Sequence, residues 1–307
     1  MSTMRLAIGC LLACCLGGCS PSPLGQIHAA HLGRSDAAGF ASLKAQFERA
    51  NPGAAMSWHS QVTALEPAQV DRVIFVHGQD TQGVQQGRFL LPMRVAYTVG
   101  DLVLLRAGMP LETNGAPVDL LVFDLTQPLP EGLPIFVRPD NDTQISDMPG
   151  GCATDADAYR RVALTWMPEK GPYVYHGLNA HRVLITDSFT HYHPVDTGWD
   201  EFYLVQDVRD GGGIWVSRET DRITSPDEVT AQEAGDLLEW LPLETGDLVL
   251  LPRGTVHRGF GGVLVHVLAV PGFVPDNEIP VDDDLRAINE RLGLTGAAAL
   301  PCHDCSH

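Results

Sequence analysis

Gly246-Asp247-Leu248-Val249-Leu250-Leu251-Pro252-Arg253-Gly254-Thr255-Val256-His257-Arg258-Gly259 is the stretch that decides the fold. It reads as a short apolar strand, a tight turn built on Pro252 and Gly254, and a second strand that opens on a histidine. Upstream stand His191-Tyr192-His193 and then Asp200-Glu201-Phe202-Tyr203-Leu204-Val205. Side chains alternate along a strand, so His191 and His193 share a face and Tyr192 points away. Residues 194–200 form a loop, and Glu201 starts the returning strand. The turn at 252–254 re-aims the chain so that His257 can enter the same cavity. Three imidazoles and one carboxylate suit a divalent transition metal and leave one or two positions open on a six-coordinate ion.

On either side of this stretch the chain alternates short β-type runs with turn residues. Arg72–Val76, Phe89–Leu91, Arg94–Tyr97, Leu102–Leu105, Asp119–Phe123 and Ile135–Val137 form one group. Val162–Trp166, Arg182–Ile185, Phe202–Val205, Gly213–Val216, Leu248–Leu251 and Val263–Val270 form another. Gly 31 and Pro 22 among 307 residues fit such a turn-rich, all-β chain. Residues 139–156, rich in Asp, Asn, Gly and Pro, mark a boundary between the groups. Helices are expected only at the periphery. One is capped by Ser35-Asp36, runs through Phe40, Leu43 and Phe47, and is ended by Asn51-Pro52-Gly53. A short one is expected near Asp227-Glu228-Val229, and an amphipathic one over 284–292.

The two groups repeat. Val99-Gly100-Asp101-Leu102-Val103-Leu104-Leu105 parallels Thr245-Gly246-Asp247-Leu248-Val249-Leu250-Leu251, and Asp71–Val76 parallels Glu201–Gln206. This alignment sets Leu111 opposite His257, and more loosely Gln61 and Thr63 opposite His191 and His193. The first copy therefore keeps the β framework without the ligands.

Charge and cysteines bound the partners. The formal net charge of −18 argues against a nucleic-acid surface, which needs a basic stripe. At the N-terminus, Arg5 precedes an apolar run, Leu6 to Leu16, that is too short to span a bilayer. Leu16-Gly17-Gly18-Cys19 then resembles a bacterial lipoprotein processing box. The resemblance implies cleavage before Cys19 and its lipidation. With Ser20 next, it implies an envelope protein anchored by lipid at the outer membrane. Cys10, Cys14 and Cys15 would leave with the signal, so Cys152, Cys302 and Cys305 would remain in an oxidising compartment. Pro301-Cys302-His303-Asp304-Cys305 is expected to be a terminal tail with a short-loop disulfide or a bridge to Cys152; a small metal clip is the alternative. Haem attachment is excluded, because Ser306 stands before His307.

The second group resembles the cupins, small jelly-roll β-barrels. Gly246, Pro252, Gly254 and His257 match the spacing of the second cupin motif, and only Gly261 departs, standing where Asn is usual. His191, His193 and Glu201 match the first motif in type and order, with a longer loop between His193 and Glu201. The resemblance implies an all-β fold of two cupin-like jelly-roll β-barrels with a few short helices. The expected organisation is a signal at 1–18, a tether at 19–35, a degenerate barrel at 36–140 and a metal-binding barrel at 141–307. It also implies one divalent metal (Fe, Mn, Zn or Ni) on His191, His193, Glu201 and His257, with a small polar metabolite as the expected ligand. Dioxygenase-like chemistry is placed ahead of isomerase or decarboxylase, and a non-catalytic, metal-stabilised binder is the alternative. A second copy of the chain stays open as a partner. Tyr203, Trp199, Trp215 and Arg253 are candidates to line the cavity, with Arg253 able to hold a carboxylate. His181 and His266 are expected to be structural or to sit behind the ligands.

Overall fold

The computed structural model describes residues 28–34, 36–78, 87–92, 94–147, 153, 158–209 and 211–305. The signal-like stretch, Cys19 and Cys152 lie outside the described residues. The N-terminal strands are β1 (His28–His31), β2 (Ala55–Val62), β3 (Arg72–His77), β4 (Leu102–Leu105), β5 (Val118–Asp124) and β6 (Phe136–Val137). The C-terminal ones are β7 (Arg160–Leu164), β8 (Asn179–Asp187), β9 (His191–Tyr192), β10 (Asp200–Val208), β11 (Gly213–Ser217), β12 (Glu239–Pro242), β13 (Asp247–Leu251), β14 (Val256–Val270) and β15 (Ile279–Pro280). Helix α1 (Ala37–Ala50) precedes the first sheet and α2 (Asp282–Leu292) follows the last strand. Strands dominate, curl into two jelly-roll-type barrels, and leave helices at the periphery.

The repeat shows in the strand order. One sheet runs β6-β4-β3-β5-β2, and the main path of the other runs β1-β13-β10-β14-β8-β7. β3 lies between β4 and β5 as β10 lies between β13 and β14, so the paired sequence runs occupy matching places. One place is filled by exchange. β1 lies before the first sheet in the chain yet pairs with β13 of the second, His28 to Leu250 through His31 to Asp247. The tether expected over 19–35 therefore does not extend to His28–His31. The edge of β13 needs a hydrogen-bonding partner, and this segment supplies it.

Central strands bury both faces, which explains their unbroken apolar runs. Phe202 and Leu204 of β10, Leu248 and Leu250 of β13, and Leu268 and Val270 of β14 meet Val73, Phe75, Leu102, Leu104, Leu121 and Phe123 in one seam between the sheets. The alternate residues Tyr203, Val205, Val249, Leu251, Val265 and Val267 fill the second barrel, and Ile74, Val76, Val103, Leu105, Leu120 and Val122 fill the first. Helix α1 closes one end of the seam. Asp36 caps its start, and Leu43 and Phe47 are its buried residues, with Phe47 edge-on to Phe123 and Phe202 at 5.8 and 5.2 Å.

Strand β14 spans fifteen residues because it serves two surfaces. Its first part, Val256 to Phe260, pairs with β11, and its later part, Val263 to Ala269, pairs with β8 and β10. The corner falls at Gly261 and Gly262, both at positive φ. A Cβ at Gly261 would meet the Gly211 carbonyl oxygen at 2.6 Å. That corner accounts for glycine where the cupin pattern has Asn.

The C-terminal helix begins at Asp282, two residues before the expected 284. Three aspartates fill its first turn, where the helix dipole favours negative charge. Near 227–229 the chain forms a 3-10 turn over Pro226–Glu228. Four-residue helices flank it at Thr220–Ile223 and Ala231–Ala234, the latter started by a Thr230/Glu233 capping box. Cys302 and Cys305 are disulfide-bonded to each other, packed against α2 residues Leu285 and Ile288.

Candidate metal centre

His191, His193, Glu201 and His257 converge inside the second barrel. One ligand-type atom from each lies within 4.8 Å of the others, and all four side chains are buried. Local pairing creates this. His191 opposes His257 across β9 and β14. Glu201, the second residue of β10, lies between Leu251 of β13 and Ala269 of β14, on the face that points into the barrel. The turn after β13 is locked by Gly254, whose φ is 81°, where a Cβ would strike Val195. Its backbone N–H donates to the His193 carbonyl at 2.7 Å. One ligand segment is thereby tied directly to the other.

Each imidazole is aimed by its own backbone. His191 Nδ1 lies 3.2 Å from the Phe189 carbonyl and His257 Nδ1 3.0 Å from the Thr255 carbonyl, while His193 is tied to the Trp199 backbone. Donation from Nδ1 leaves the Nε2 lone pair facing inward. The Nε2 atoms of His191, His193 and His257 and Oε1 of Glu201 are all buried without a hydrogen-bond partner. His257 Nε2 is 3.3 Å from Glu201 Oε1, and His193 Nε2 is 3.7 Å from Glu201 Oε2. These are ion-pair separations without the alignment of a hydrogen bond. Buried polar atoms left unpaired are costly, and a cation would satisfy all four at once.

Electrostatics agree for two of the three imidazoles, and at the third they favour a positive charge beside Glu201. Burial, then the neighbouring imidazoles, holds His191 and His193 well below the ordinary histidine range, so both are neutral as ligands must be. Burial also works to lower His257, but the adjacent Glu201 carboxylate outweighs it and holds that ring above its ordinary value. The long loop between His193 and Glu201 has a use: it delivers Trp199, which is buried and stacks on His193 with ring centroids 4.0 Å apart. Tyr203 sits edge-on to His257 at 6.5 Å.

Other sequence candidates lie elsewhere. Trp215 stands on the outer side of β11 against Trp240, beside a cavity of about 680 Å³ also lined by Phe260 and Pro301. Arg253 turns away from the ligands and pairs with Asp200 at 3.2 Å; the turn makes it a neighbour of the seam, so it does not face the cavity. His266 belongs to the seam, its Nε2 3.0 Å from the Gly100 carbonyl. His181 pairs across to Val267, on the barrel's inner face. His303 lies near Asp187, 3.5 Å away, away from the ligand cluster.

Two inward groups escaped the sequence reading. Glu278 precedes β15, whose Ile279 and Pro280 pair with Tyr192 and His191; continuing that register sets Glu278 across from His193. Burial, then the Glu201 charge, pushes its carboxyl up to about 7. Arg160 is 7% exposed and opposes Val183, an inner-face residue, within electrostatic reach of Glu278. No spacing rule connects either to the histidines. The one available signal was the pair Arg160-Arg161 opening an otherwise apolar strand.

No protein-family profile matches the sequence, and no curated protein matches it. Solved structures do match. An oxalate decarboxylase structure is 9% identical, covering 83% of this chain and 79% of that one, with a TM-score of 0.45. Salicylate 1,2-dioxygenase from Pseudaminobacter salicylatoxidans is 10% identical over 78% and 72%, with a TM-score of 0.42. Procruciferin, an 11S globulin from Brassica napus, is 10% identical over 73% and 78%, with a TM-score of 0.44. At such identities the likeness is one of chain arrangement.

Proposed function

We propose that this chain is a metal-dependent enzyme for a small polar metabolite, holding one divalent transition ion on His191, His193, Glu201 and His257. The observation that carries the reading is a buried set of three histidines and one glutamate, each with one ligand-type atom within 4.8 Å of the others and with Nε2 or Oε1 left without a hydrogen bond. An ion bound there would supply Lewis acidity toward a chelating substrate. The remaining work falls to the chain's own side chains. Trp199, stacked on His193 and packed against Phe273 at 4.7 Å, excludes water from one side. Glu278, across from His193 in register, places a second carboxyl beside the site that could accept or donate a proton. Arg160 gives the cavity a positive charge facing that carboxyl. Oxidation by O2 is placed first among the reactions, ahead of isomerisation and decarboxylation. The sequence around Cys19 supports a lipid-anchored location in the cell envelope.

Metal analysis of the purified protein, followed by O2 consumption against a panel of small metabolites, tests this. About one ion per chain is expected, lost in the His191→Ala/His193→Ala double variant. Equal metal content in the two proteins would overturn the assignment. Bound metal with no turnover of any kind would favour a binding protein over an enzyme.

A further inference from the structure

Outside the barrel, directly behind the ligands, lies a buried polar cluster that bridges the two halves of the chain. Asn51, the C-cap of α1, is 8% exposed, and Asp200 is 2% exposed. Asn51 Nδ2 donates to Asp200 Oδ2 at 2.6 Å and to the Phe47 carbonyl at 3.1 Å. Asn51 Oδ1 accepts from Arg253 Nη2 at 2.6 Å. Arg253 also donates to Asp200 Oδ1, from its backbone N–H at 3.1 Å and from Nε at 3.2 Å. A single orientation of the Asn51 amide satisfies this set, because its donor must face the carboxylate and carbonyl and its acceptor the guanidinium.

The positions of these partners give the cluster its meaning. Asp200 immediately precedes the ligand Glu201. Arg253 stands in the turn whose Gly254 is bonded to the His193 carbonyl and which leads to His257. The buried Asp200 carboxylate and the part-buried Arg253 guanidinium hold one geometry best when their remaining donors and acceptors are matched, and Asn51 matches one of each. We propose that Asn51, contributed by the ligand-free half of the chain, is a positioning residue for the metal centre: it locks the Asp200–Arg253 pair and through it the places of Glu201 and His257. The proposal rests on the metal reading above. It gives the first half a part in the site despite its lack of ligands.

The test is Co2+ binding to the whole protein, followed by the visible spectrum of the bound ion and by chelator competition. Removing a group bonded directly to a ligand typically weakens metal affinity about 10–100-fold; Asn51 acts one contact further out, so Asn51→Ala should lose affinity by about tenfold, the lower end of that range, and show an altered Co2+ spectrum. Leu111→Ala, in the core of the first barrel, should lower the melting temperature yet leave Co2+ affinity within about twofold of wild type, the scatter expected for a distant independent site. If Asn51→Ala does not fold, Arg253→Lys cuts the same cluster from the other side and should weaken Co2+ binding likewise. Unchanged affinity and spectrum in the folded cluster variants would overturn the positioning role while the metal reading stands. Failure of the wild type to bind Co2+ would overturn both.

Discussion

Acidification should loosen the seam between the two barrels, and two histidines that play no part in the candidate centre should account for a defined part of the loss. His77 is 2% exposed, and neither ring nitrogen has a hydrogen-bond partner. Burial pushes it down to about 4, with Asp119 opposing that shift in part. His266 is fully buried against Phe75, and burial, followed by the Arg182 charge, pushes it down to about 3. Both are neutral in the folded chain, whereas an unfolded histidine titrates near 6.5. Between about 6.5 and these lower values the unfolded state binds more protons, so stability is complete above that window and falls as pH falls through it. By about pH 4.5 the unfolded chain has gained roughly two pKa units of proton binding at each site. At about 1.4 kcal/mol per unit this costs ~2.5 kcal/mol for each histidine and ~5 kcal/mol for the pair. That is a large share of the roughly 5–15 kcal/mol that holds a typical domain together. Urea unfolding of metal-free protein at pH 7 and at about pH 4.5 measures the total loss, to which the buried His181, His191 and His193 also contribute, and His266→Gln isolates one seam histidine. Gln can still donate to the Gly100 carbonyl but cannot titrate, so its loss between the two pH values should be ~2.5 kcal/mol smaller than that of wild type. Equal losses in the two proteins would refute the reasoning, because every other histidine is common to both.

A divalent ion present at about a hundredfold its dissociation constant should stabilise the wild type by about 2.7 kcal/mol. In calorimetry His257→Ala should lose that increment while His303→Ala keeps it, and an equal ion-induced shift in His257→Ala would count against the centre. Phe202→Ala removes a fully buried ring in contact with Phe47 and Phe123 and should cost about 3–5 kcal/mol. Because the seam joins the halves, the loss should appear in one cooperative transition, and an unshifted second transition would show that they fold independently. Cys19→Ser should abolish lipid labelling and release the protein from membranes, whereas the wild type stays bound through a high-salt wash, since buried acyl chains are insensitive to screening. Unchanged membrane fractionation of Cys19→Ser would sink the lipid-anchor proposal.

The convergence of the four side chains was legible because it rests on local rules. Strand alternation places His191 and His193 on one face, and the Pro252–Gly254 turn fixes the approach of His257. The residues that sequence missed are brought in by tertiary contacts with no fixed spacing. Glu278 arrives just before a two-residue strand that pairs with β9, and Arg160 on the edge strand β7. Arg253 was misplaced for a related reason. A turn residue beside a ligand can point either way, and a buried carboxylate one residue from Glu201 drew it outward. β1 escaped because pairing with β13 crosses more than two hundred residues of chain, a partnership that no local pattern encodes.

The apolar runs carried more information than a barrel needs. A strand with one face in a barrel and one in water alternates apolar with polar residues, whereas Leu102–Leu105 and Leu248–Leu251 do not alternate at all. Each needs a second apolar surface, and each finds it in the other's sheet: Leu102 and Leu104 share the seam with Leu248 and Leu250. The first barrel can therefore lack every ligand and still be tightly constrained, because its outer face forms half of the core on which β10 and β13 rest. Helix α1 and β1 strengthen the dependence by crossing from the first half to the second, one ending at Asn51 beside Asp200 and the other lying along β13. A substitution in the ligand-free half is thus expected to reach the centre by two separable routes. The seam affects overall stability, and the Asn51 contact affects ligand geometry. The Leu111→Ala and Asn51→Ala proteins separate those routes, since only the second should alter the Co2+ spectrum.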